Sequence, residues 1–431
     1  MDEWPTVTVA DLGEVFDGPH ATPKTVDEGP IFLGIGALKS GRLDLGETRH
    51  VTAEDFKKWT RRVEPRPGDI VFSYETRLGE AAIIPEGLRC CLGRRMGLVR
   101  VDPAKIHPRF FLYNYIAPHY QEFLRSRTVH GATVDRILLK EFPSFPFPCP
   151  PLEDQEKVVS LLGALDDKIE LNRKTNETLE ALARAIFKDW FVDFGPTRAR
   201  AEGRAPYLAP ALWDLFPGRL DAEGKPEGWD IKPFSDLFTI IGGGTPKKSV
   251  AEYWNGDILW FSVVDAPPTG EIYVVDTATR ITEKGLDESS ARLVRAGTTI
   301  ISARGTVGKL AMARHAMTFN QSCYGLQGQD GVGDRFVYLS AQHMVGRLQA
   351  MAHGSVFSTI TRDTFAALDF VRASDALFVA FEETVEPLFE RIGAHVEESR
   401  TLAQTRDLLL PKLMSGEIRL RDAERMVEDA A

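Results

Sequence analysis

The feature that most constrains the fold is a stripe of mainly apolar residues that occurs twice, 223 residues apart. The first stripe consists of Val158, Leu162, Leu165, Ile169, Asn172, Asn176, Leu179, Ala183, Ile186 and Trp190. The second consists of Phe381, Val385, Leu388, Ile392, His395, Ser399, Leu402, Arg406, Leu409 and Leu413. Steps of three and four residues keep side chains on one helix face, so each stripe predicts a long helix with a heptad seam.

Polar residues interrupt both stripes at the same two central positions. Asn172 and Asn176 in the first stripe correspond to His395 and Ser399 in the second. Because a buried polar side chain at a seam position specifies register and partner, this match predicts that the two helices pack on each other. The alternative, in which each helix packs its stripe on a local globular core, stays open at this point.

The same offset extends into the segments before each helix, which makes the chain an internal repeat. Pro23-Lys24 corresponds to Pro246-Lys247, and with a small change of offset Ser73 corresponds to Ser302. The repeat predicts a globular domain, a helix, a linker or docking loop, a second globular domain, and a second helix with a C-terminal tail. These parts are residues 1–150, 151–194, 195–226, 227–375 and 376–431.

Within the globular domains the residue patterns are those of strands and short helices. GDIVFSY (68–74) and GTTIISA (297–303) place β-branched and aromatic residues after a turn, which predicts strands. FFLYNYI (110–116) and RFVYLSA (335–341) fit either a strand or a buried helix. The predicted fold class is therefore α+β, with mixed α/β globular domains, two long helices and an internal pseudo-two-fold repeat.

The net charge of −10 is concentrated in the two helical segments. Residues 151–194 and 376–431 carry −4 and −5, whereas residues 1–150 are neutral and residues 225–375 carry −1. Local basic faces are therefore possible on both globular domains. The chain has no apolar run of about 18 residues, and its first residues lack a signal-peptide core, so we expect a cytoplasmic protein without a membrane partner.

Motifs of catalysis and metal binding are missing from the sequence. Gly34-Ile35-Gly36 and GGGTPKKS (242–249) lack the further residues of a nucleotide-binding loop. The 4 cysteines form no CxxC pair, and the 9 histidines show no zinc-ligand spacing. The carboxylate pair Asp166-Asp167 is expected to be solvated on an exposed helix face. These patterns predict a non-catalytic chain without a metal site.

Several stretches resemble one known family. CPPLEDQEKVVSLLGALDDKIELNRKTNETLEALARAIFKDWFVDF (149–194), followed by RARAEGR (198–204), looks like the central conserved region of the specificity (S) subunit of Type I restriction-modification systems. RDLLLPKLMSGEIRL (406–420) resembles its C-terminal conserved region. Other stretches are similar to that family's target-recognition domains, namely GGGTPKKSVAEYWNGDILWFSVVD (242–265), GTTIISARGTVGKLAM (297–312) and NQSCYGL (320–326). The resemblance covers essentially the whole chain.

This resemblance implies two target-recognition domains, 1–150 and 227–375, each followed by a conserved helix. It also implies that the helices pair as an antiparallel coiled coil and that the subunit recognises a bipartite site in double-stranded DNA without doing chemistry itself. The implied partners are two modification subunits, which methylate adenine at N6, and restriction subunits that join through the complex. S-adenosylmethionine, ATP and Mg²⁺ would be carried by those partners, so no cofactor is expected in this chain.

Polar loops at strand ends are the expected DNA-reading elements, because arginine, asparagine and glutamine make the specific contacts to base edges. The candidates are Lys24, Thr76 and Arg77 in the first domain and Lys247, Lys248 and Arg304 in the second. Each of them could instead be an ordinary solvated surface residue. Arg61-Arg62 and Arg94-Arg95 are expected to contact phosphates or to be surface charges, since paired charges on loops orient a protein without reading sequence.

Two other classes of protein compete with this interpretation. One is a structural coiled-coil scaffold that binds other proteins through two globular ends, without sequence-specific DNA contact; composition does not separate it from a DNA-binding subunit. The other is a self-contained methyltransferase or nuclease, which requires a cofactor motif that the sequence lacks.

Overall fold

The computed structural model describes residues 4–39, 41–46, 48–129, 134–268, 271–353, 359–418, 421–423 and 425. The chain divides into two compact units. Unit 1 consists of Met1–Ile169 with Arg400–Ala431, and unit 2 consists of Glu170–Ser399.

Unit 1 contains short helices, small sheets and one half of each long helix. Its strands are β1 (Thr6–Thr8), β2 (Gly13–Asp17), β3 (Val26–Leu33), β4 (Leu38–Lys39), β5 (Arg42–Leu43), β6 (Arg49–His50), β7 (Ile70–Ser73), β8 (Ala81–Ile83), β9 (Cys90–Leu92), β10 (Met96–Val101), β11 (Thr128–Val129), β12 (Arg136–Ile137) and β13 (Pro146–Pro148). Its helices are α1 (Val9–Leu12), α2 (Ala53–Trp59), α3 (Pro108–Ile116), α4 (Pro118–Ser126) and the start of α5 (Leu152–Phe191), with 3-10 turns at Ile35–Ala37 and Phe142–Ser144.

Unit 2 contains the same kinds of element. Its strands are β14 (Asp230–Pro233), β15 (Phe238–Gly242), β16 (Trp254–Phe261), β17 (Tyr273–Val274), β18 (Arg280–Ile281), β19 (Thr299–Ser302), β20 (Leu310–Ala313), β21 (Thr318–Phe319), β22 (Cys323–Gly328) and β23 (Asp369–Arg372). Its helices, besides the end of α5, are α6 (Gly195–Ala201), α7 (Pro210–Trp213), α8 (Glu283–Asp287), α9 (Asp334–His353), α10 (Arg362–Ala366) and the start of α11 (Asp375–Met414), with 3-10 turns at Phe234–Leu237, Ala251–Tyr253 and Val263–Asp265.

The sheets of the two units follow one plan. Unit 1 has a four-stranded sheet in the order β2-β10-β7-β8, and unit 2 has β15-β22-β19-β20 with β17 added at the edge. Each unit also has a three-stranded sheet, β6-β3-β9 or β18-β16-β21, in which the central strand has one antiparallel and one parallel neighbour. The predicted α+β fold and internal repeat are therefore confirmed.

The two long helices also follow the internal repeat. Both α5 and α11 contain 40 residues, and their bounds differ by the offset of 223 that relates the two stripes. FFLYNYI and RFVYLSA, which fit either structure in the sequence, lie in helices α3 and α9. Among the described residues, no helix is both long and apolar enough to cross a membrane.

In unit 2 the end of α5 packs antiparallel on the start of α11. Asn172 Nδ2 donates to Ser399 Oγ at 3.2 Å, and His395 Nδ1 donates to Asn176 Oδ1 at 2.8 Å. Going forward along α5 from Asn172 to Asn176 therefore corresponds to going back along α11 from Ser399 to His395, as antiparallel helices require. All four polar seam residues partner one another, which confirms the predicted pairing of the helices.

The seam side chains also contribute to the core of the adjoining globular domain. In unit 1, Leu162 and Leu165 of α5 pack with Leu409 and Leu413 of α11 in one cluster that includes Phe110 of the globular domain. Seam residues that are only partly buried are Leu179, Ile186, Leu388, Ser399, Leu402 and Arg406. Packing between the helices and packing on a local core, which the sequence presents as alternatives, occur together.

The expectation that Asp166-Asp167 is solvated is wrong for Asp166. The Asp166 carboxylate is 23% exposed and accepts hydrogen bonds from Arg42 and Arg406, at 2.9 and 2.8 Å, and from Tyr113 at 2.9 Å. Burial alone would raise the pKa of Asp166, but the bonds and charges of Arg406 and Arg42 outweigh burial and hold it below its ordinary value. This carboxylate ties the globular domain of unit 1 to both long helices.

The segment 195–226, predicted to be a linker or docking loop, is folded onto the end of α5. Phe216 packs edge-on against Trp190 with ring centroids 5.2 Å apart. Arg200 donates from Nη1 to the carbonyl oxygens of Trp213 and Phe216, at 2.8 and 2.7 Å. Its proline and glycine residues limit it to the short helices α6 and α7, and its aromatic residues fix it in place.

Replacing Asp166 with asparagine should destabilise unit 1 by about 3 kcal/mol, because the largely buried guanidinium of Arg406 loses its less exposed carboxylate partner and keeps only the exposed one of Asp407. Asp167→Asn is the matched control: its carboxylate is 62% exposed and bonds to the Arg109 guanidinium at the surface, so the loss should stay below about 1 kcal/mol. Denaturant unfolding of the full chain measures both free energies.

The pH dependence of the Asp166→Asn effect follows from the lowered pKa. A carboxyl whose folded pKa is depressed stabilises the protein above its unfolded pKa of about 4 and loses that contribution as the pH falls through the folded pKa. The difference in unfolding free energy between wild type and Asp166→Asn should therefore shrink below about pH 4. Equal losses for the Asp166 and Asp167 variants would contradict the role given to Asp166.

Candidate nucleic-acid interface

In unit 2, four loops leave the same edge of the two sheets. β15 and β19 both run antiparallel to β22, so their carboxyl ends lie beside its amino end, with Ser302 opposite Cys323. β16 runs parallel to β21 and ends beside it, with Phe261 opposite Phe319. We call the loops at this edge the second loop cluster: residues 243–250, 262–266, 303–309 and 320–322.

Backbone hydrogen bonds hold the loops of the second cluster together. The N–H of Gly244 donates to the carbonyl of Phe319 at 2.9 Å, and the N–H of Ala303 donates to the carbonyl of Ser322 at 2.7 Å. These hydrogen bonds between loops therefore fix the backbone that carries the side chains at the loop tips.

The three predicted DNA contacts of the second domain all lie in this cluster. Lys247 and Lys248 are exposed on its first loop, and Arg304 is exposed on the loop that follows β19. Within the part of the chain that the structure describes, no side-chain hydrogen bond or ion pair engages these three groups. Their positive charges are available to a ligand.

Gln321 also lies in the second loop cluster, and sequence reasoning missed it. Its side chain is exposed, and its Oε1 accepts a hydrogen bond from Thr245 Oγ1. A glutamine amide can bond to an adenine edge. Gln321 lies just before β22, and no periodicity in the sequence distinguishes it.

Unit 1 builds the equivalent edge from the equivalent strands. The carboxyl ends of β2 and β7 lie beside the amino end of β10, with Ser73 opposite Met96, and β3 ends beside β9, with Leu33 opposite Leu92. We call the loops at this edge the first loop cluster: residues 18–25, 34–37, 74–80 and 93–95. The three predicted contacts of the first domain, Lys24, Thr76 and Arg77, lie in it.

These three residues differ in whether other residues engage their side chains. Lys24 is exposed, and no partner engages its side chain among the described residues. Arg77 Nη2 donates to Glu80 at 3.0 Å, and its Nη1 lies 3.4 Å from the carbonyl oxygen of Ile35. Thr76 accepts from Arg95 Nη1 at 2.9 Å. Arg77 therefore holds two loops of the cluster together.

The position equivalent to Arg304 in unit 1 is Glu75. The isolated backbone bridge from Arg304 to Thr359 has its counterpart in the bridge from Glu75 to Arg136, and Thr359 and Arg136 are 223 residues apart. The Glu75 carboxylate forms an ion pair with Arg95 at 3.2 Å. The two clusters therefore share a backbone plan and differ in the side chains that they present.

The arginines Arg94 and Arg95, expected to be phosphate contacts or surface charges, lie inside the first loop cluster. They form the turn from β9 to β10, the place that Gln321 and Ser322 take in unit 2. The turn is brought there by the pairing of β9 with β3, a neighbour almost 60 residues earlier in the chain. That pairing carries no local sequence signal.

The buried phenol of Tyr74 helps to fix the first loop cluster in place. Tyr74 donates to Asp17 Oδ1 at 3.1 Å, and Asp17 also accepts from His20 Nε2 at 2.8 Å. Burial, with the negative charge of Asp17 as the next cause, raises the pKa of Tyr74 well above its usual range. The phenol therefore stays protonated and keeps joining the loop after β7 to the end of β2.

Reactive groups of the kinds used in covalent or metal catalysis do not gather at either cluster. Burial raises the pKa of Cys90 to about 12 and that of Cys323 to about 12, so both thiols stay protonated. Within the described residues, no three histidine, cysteine, aspartate or glutamate side chains could hold a metal ion together. What the clusters offer is ammonium, guanidinium, hydroxyl and amide groups, which suit phosphate oxygens and base edges.

Comparison with known proteins gives one consistent family. The family model for the Type I restriction modification DNA specificity domain matches residues 1–181 and 226–370. The specificity subunit of the Type I restriction enzyme HindI from Haemophilus influenzae is 28% identical over 357 residues, which is 72% of this chain and 77% of that protein. The MjaIX specificity subunit from Methanocaldococcus jannaschii is 22% identical over 442 residues, covering 97% and 94% of the two chains.

A solved structure has the same fold. The S subunit of a Type I restriction-modification system from M. genitalium aligns with a TM-score of 0.54 at 15% identity, covering 95% of this chain and 96% of that one. At this identity the likeness concerns the fold.

The backbone at Gly305 generates a stability prediction. Gly305 has φ +75°, and a Cβ added there meets nothing within 4 Å, so Gly305→Ala should cost about 1 kcal/mol from the left-handed backbone alone. Gly346→Ala is the matched control, because Gly346 lies inside α9 with equally open surroundings; it should stabilise the chain by about 0.5–1 kcal/mol. Thermal unfolding measures the stability of both variants. A stability change of the same sign in both would contradict the backbone strain assigned to residue 305.

Proposed function

The chain belongs to the Type I restriction-modification DNA specificity family, and we propose from that premise that it selects the DNA target of such a complex. The observation that carries the proposal is the convergence of four loops at one sheet edge in each unit, with unengaged basic side chains at their tips. Arg304 and Lys247 in unit 2 and Lys24 in unit 1 are such side chains. Loops of this kind suit the polar edges of bases in the major groove.

The proposed target is bipartite, with one half-site for each unit. Both units carry a loop cluster on the same backbone plan, but the side chains differ: Glu75 stands where unit 2 has Arg304, and Arg94 stands near the place of Gln321. Two sets of different side chains would select two different sequences. Of the predicted contacts, Lys24, Lys247, Lys248 and Arg304 are proposed to touch DNA, and Thr76 and Arg77 to hold the loops of the first cluster in place.

We further propose that the chain is non-catalytic and works in the cytoplasm with two modification subunits, through which restriction subunits join. Methyl transfer would then use S-adenosylmethionine held by the modification subunits, and cleavage would use ATP and Mg²⁺ held by the restriction subunits. Tight binding of S-adenosylmethionine by the isolated chain would contradict this division of work.

Two exposed leucines on α5 support the docking of a partner subunit. Leu171 and Leu182 are 58% and 48% exposed, and eleven residues, or three helical turns, place them on the same face of the helix. The segment around them, residues 151–194, carries a charge of −4 and would be repelled by DNA phosphates. An acidic helix with exposed leucines suits a protein partner better than DNA.

Replacing Arg304 with alanine should relax sequence selection in only one half of the target. If Arg304 bonds a guanine edge, discrimination at one base pair should fall by about 1–3 kcal/mol, while the half-site read by unit 1 is unchanged. A map of adenine methylation by the complex of this chain with its modification subunits measures both halves at once.

Lys232→Ala is the control for the loss of one positive charge. Lys232 lies on β14, outside the second loop cluster, and its side chain is about half exposed. It should leave the methylation map unchanged. An Arg304→Ala map altered in both halves, or in neither, would argue against one half-site per unit; a scaffold without DNA contact predicts no sequence preference for any variant.

A further inference from the structure

Three arginines lie in the first loop cluster, and two of them are engaged by the protein itself. Arg77 bonds to Glu80 at 3.0 Å. Arg95 bonds to Thr76 Oγ1 at 2.9 Å and pairs with Glu75 at 3.2 Å. Both guanidinium groups therefore hold loops of the cluster together.

Arg94 differs from its two neighbours in the cluster. It is exposed at the tip of the turn that joins β9 to β10, and within the described part of the chain no hydrogen bond or ion pair engages its side chain. A guanidinium in this position keeps all five of its donors for a ligand.

The backbone on either side of Arg94 is fixed. The N–H of Gly93 donates to the carbonyl of Leu33 at 2.7 Å, and a Cβ on Gly93 would stand 2.4 Å from that oxygen, so only glycine permits this approach. On the other side, Arg95 has φ +72°, a conformation that non-glycine residues rarely adopt.

A second strained residue faces the turn. Thr76 also has φ +72°, which is unusual for a β-branched residue, and the hydrogen bond from Arg95 Nη1 to Thr76 Oγ1 joins the two strained positions across the loops. Unit 2 has glycine at the equivalent of Thr76, Gly305, with φ +75°. Unit 1 thus keeps two costly conformations that are locked to each other, an arrangement that persists where the surroundings determine it and that concentrates at functional sites.

We propose that Arg94 is the base-reading residue of unit 1, and that it donates two hydrogen bonds to N7 and O6 of a guanine in the major groove. This inference rests on the proposed function and names the specificity-determining residue for one half-site. Arg77 and Arg95 are positioning residues that aim the turn. Because unit 2 has Gln321 and Ser322 at this turn, the guanine contact made here belongs to the half-site of unit 1.

The test uses the full chain assembled with its modification subunits and a DNA library randomised in both half-sites. Arg94→Ala should lower discrimination at one G·C pair of one half-site by about 5- to 150-fold and leave the other half-site as it was. Arg94→Lys, which keeps the charge and loses the planar pair of donors, should recover affinity but not full discrimination. Since no hydrogen bond or ion pair from the described residues engages the Arg94 side chain, thermal unfolding of both variants should match wild type.

Replacing the guanine with an analogue tests which atom of the base Arg94 contacts. Replacing that guanine with 7-deazaguanine removes N7, so methylation by the wild-type complex should slow, whereas the Arg94→Ala complex should lose nothing further. Arg66→Ala is the matched control, because Arg66 is exposed in the loop before β7, at the opposite end of that strand from the cluster. The Arg66→Ala complex should methylate DNA with guanine and DNA with 7-deazaguanine at the same rates as the wild-type complex.

Two results would overturn the inference about Arg94. Uniform weakening across all sequences with a shallower salt dependence would make Arg94 a phosphate contact. Unchanged discrimination in Arg94→Ala would show that another residue selects the base. Failure of the proposed function looks different, because the wild-type complex itself would then show no sequence preference.

Discussion

The pairing of α5 with α11 is the interaction on which both units depend, because each unit contains one half of both helices. Unit 1 takes Leu409 and Leu413 from α11 into its core, and unit 2 takes Phe187 and Trp190 from α5. Burial of each such side chain stabilises the fold by about 1.5–3 kcal/mol. The sheets that carry the loop clusters are built on these cores, so the positions of the loops depend on the helix pair.

The helix pair is not symmetric, although the sequence repeat is. Asp166 and Arg406 bond each other in unit 1, and the residues at the offset of 223 in unit 2 are Phe389 and Ala183, both fully buried and apolar. If two copies of the same helix paired, a charged group would face an apolar one instead of its partner. Buried charges without partners are costly, so this asymmetry favours the pairing of α5 with α11 over the pairing of like helices.

Periodicity in the sequence was enough to predict the helices, their pairing and the repeat, because each is recorded in side chains at fixed spacing. The loop clusters were only partly predictable: Lys24, Lys247, Lys248 and Arg304 stand at strand ends, where turn residues reveal the loops. Gln321 was missed, and the position of Arg94 in a loop cluster was not foreseen, because strand pairing between distant segments brings both to the edge. Asp166 was misjudged for a related reason, since Arg42 and Tyr113 reach it from outside its own helix.

The central claim is that each unit reads its own stretch of DNA. The most direct test is to sequence DNA methylated by the wild-type chain in complex with its modification subunits and to derive the shared motif. The account predicts two specified blocks of different sequence, separated by a fixed number of base pairs at which any base is accepted. A single uninterrupted motif, or methylation without sequence preference, would contradict it.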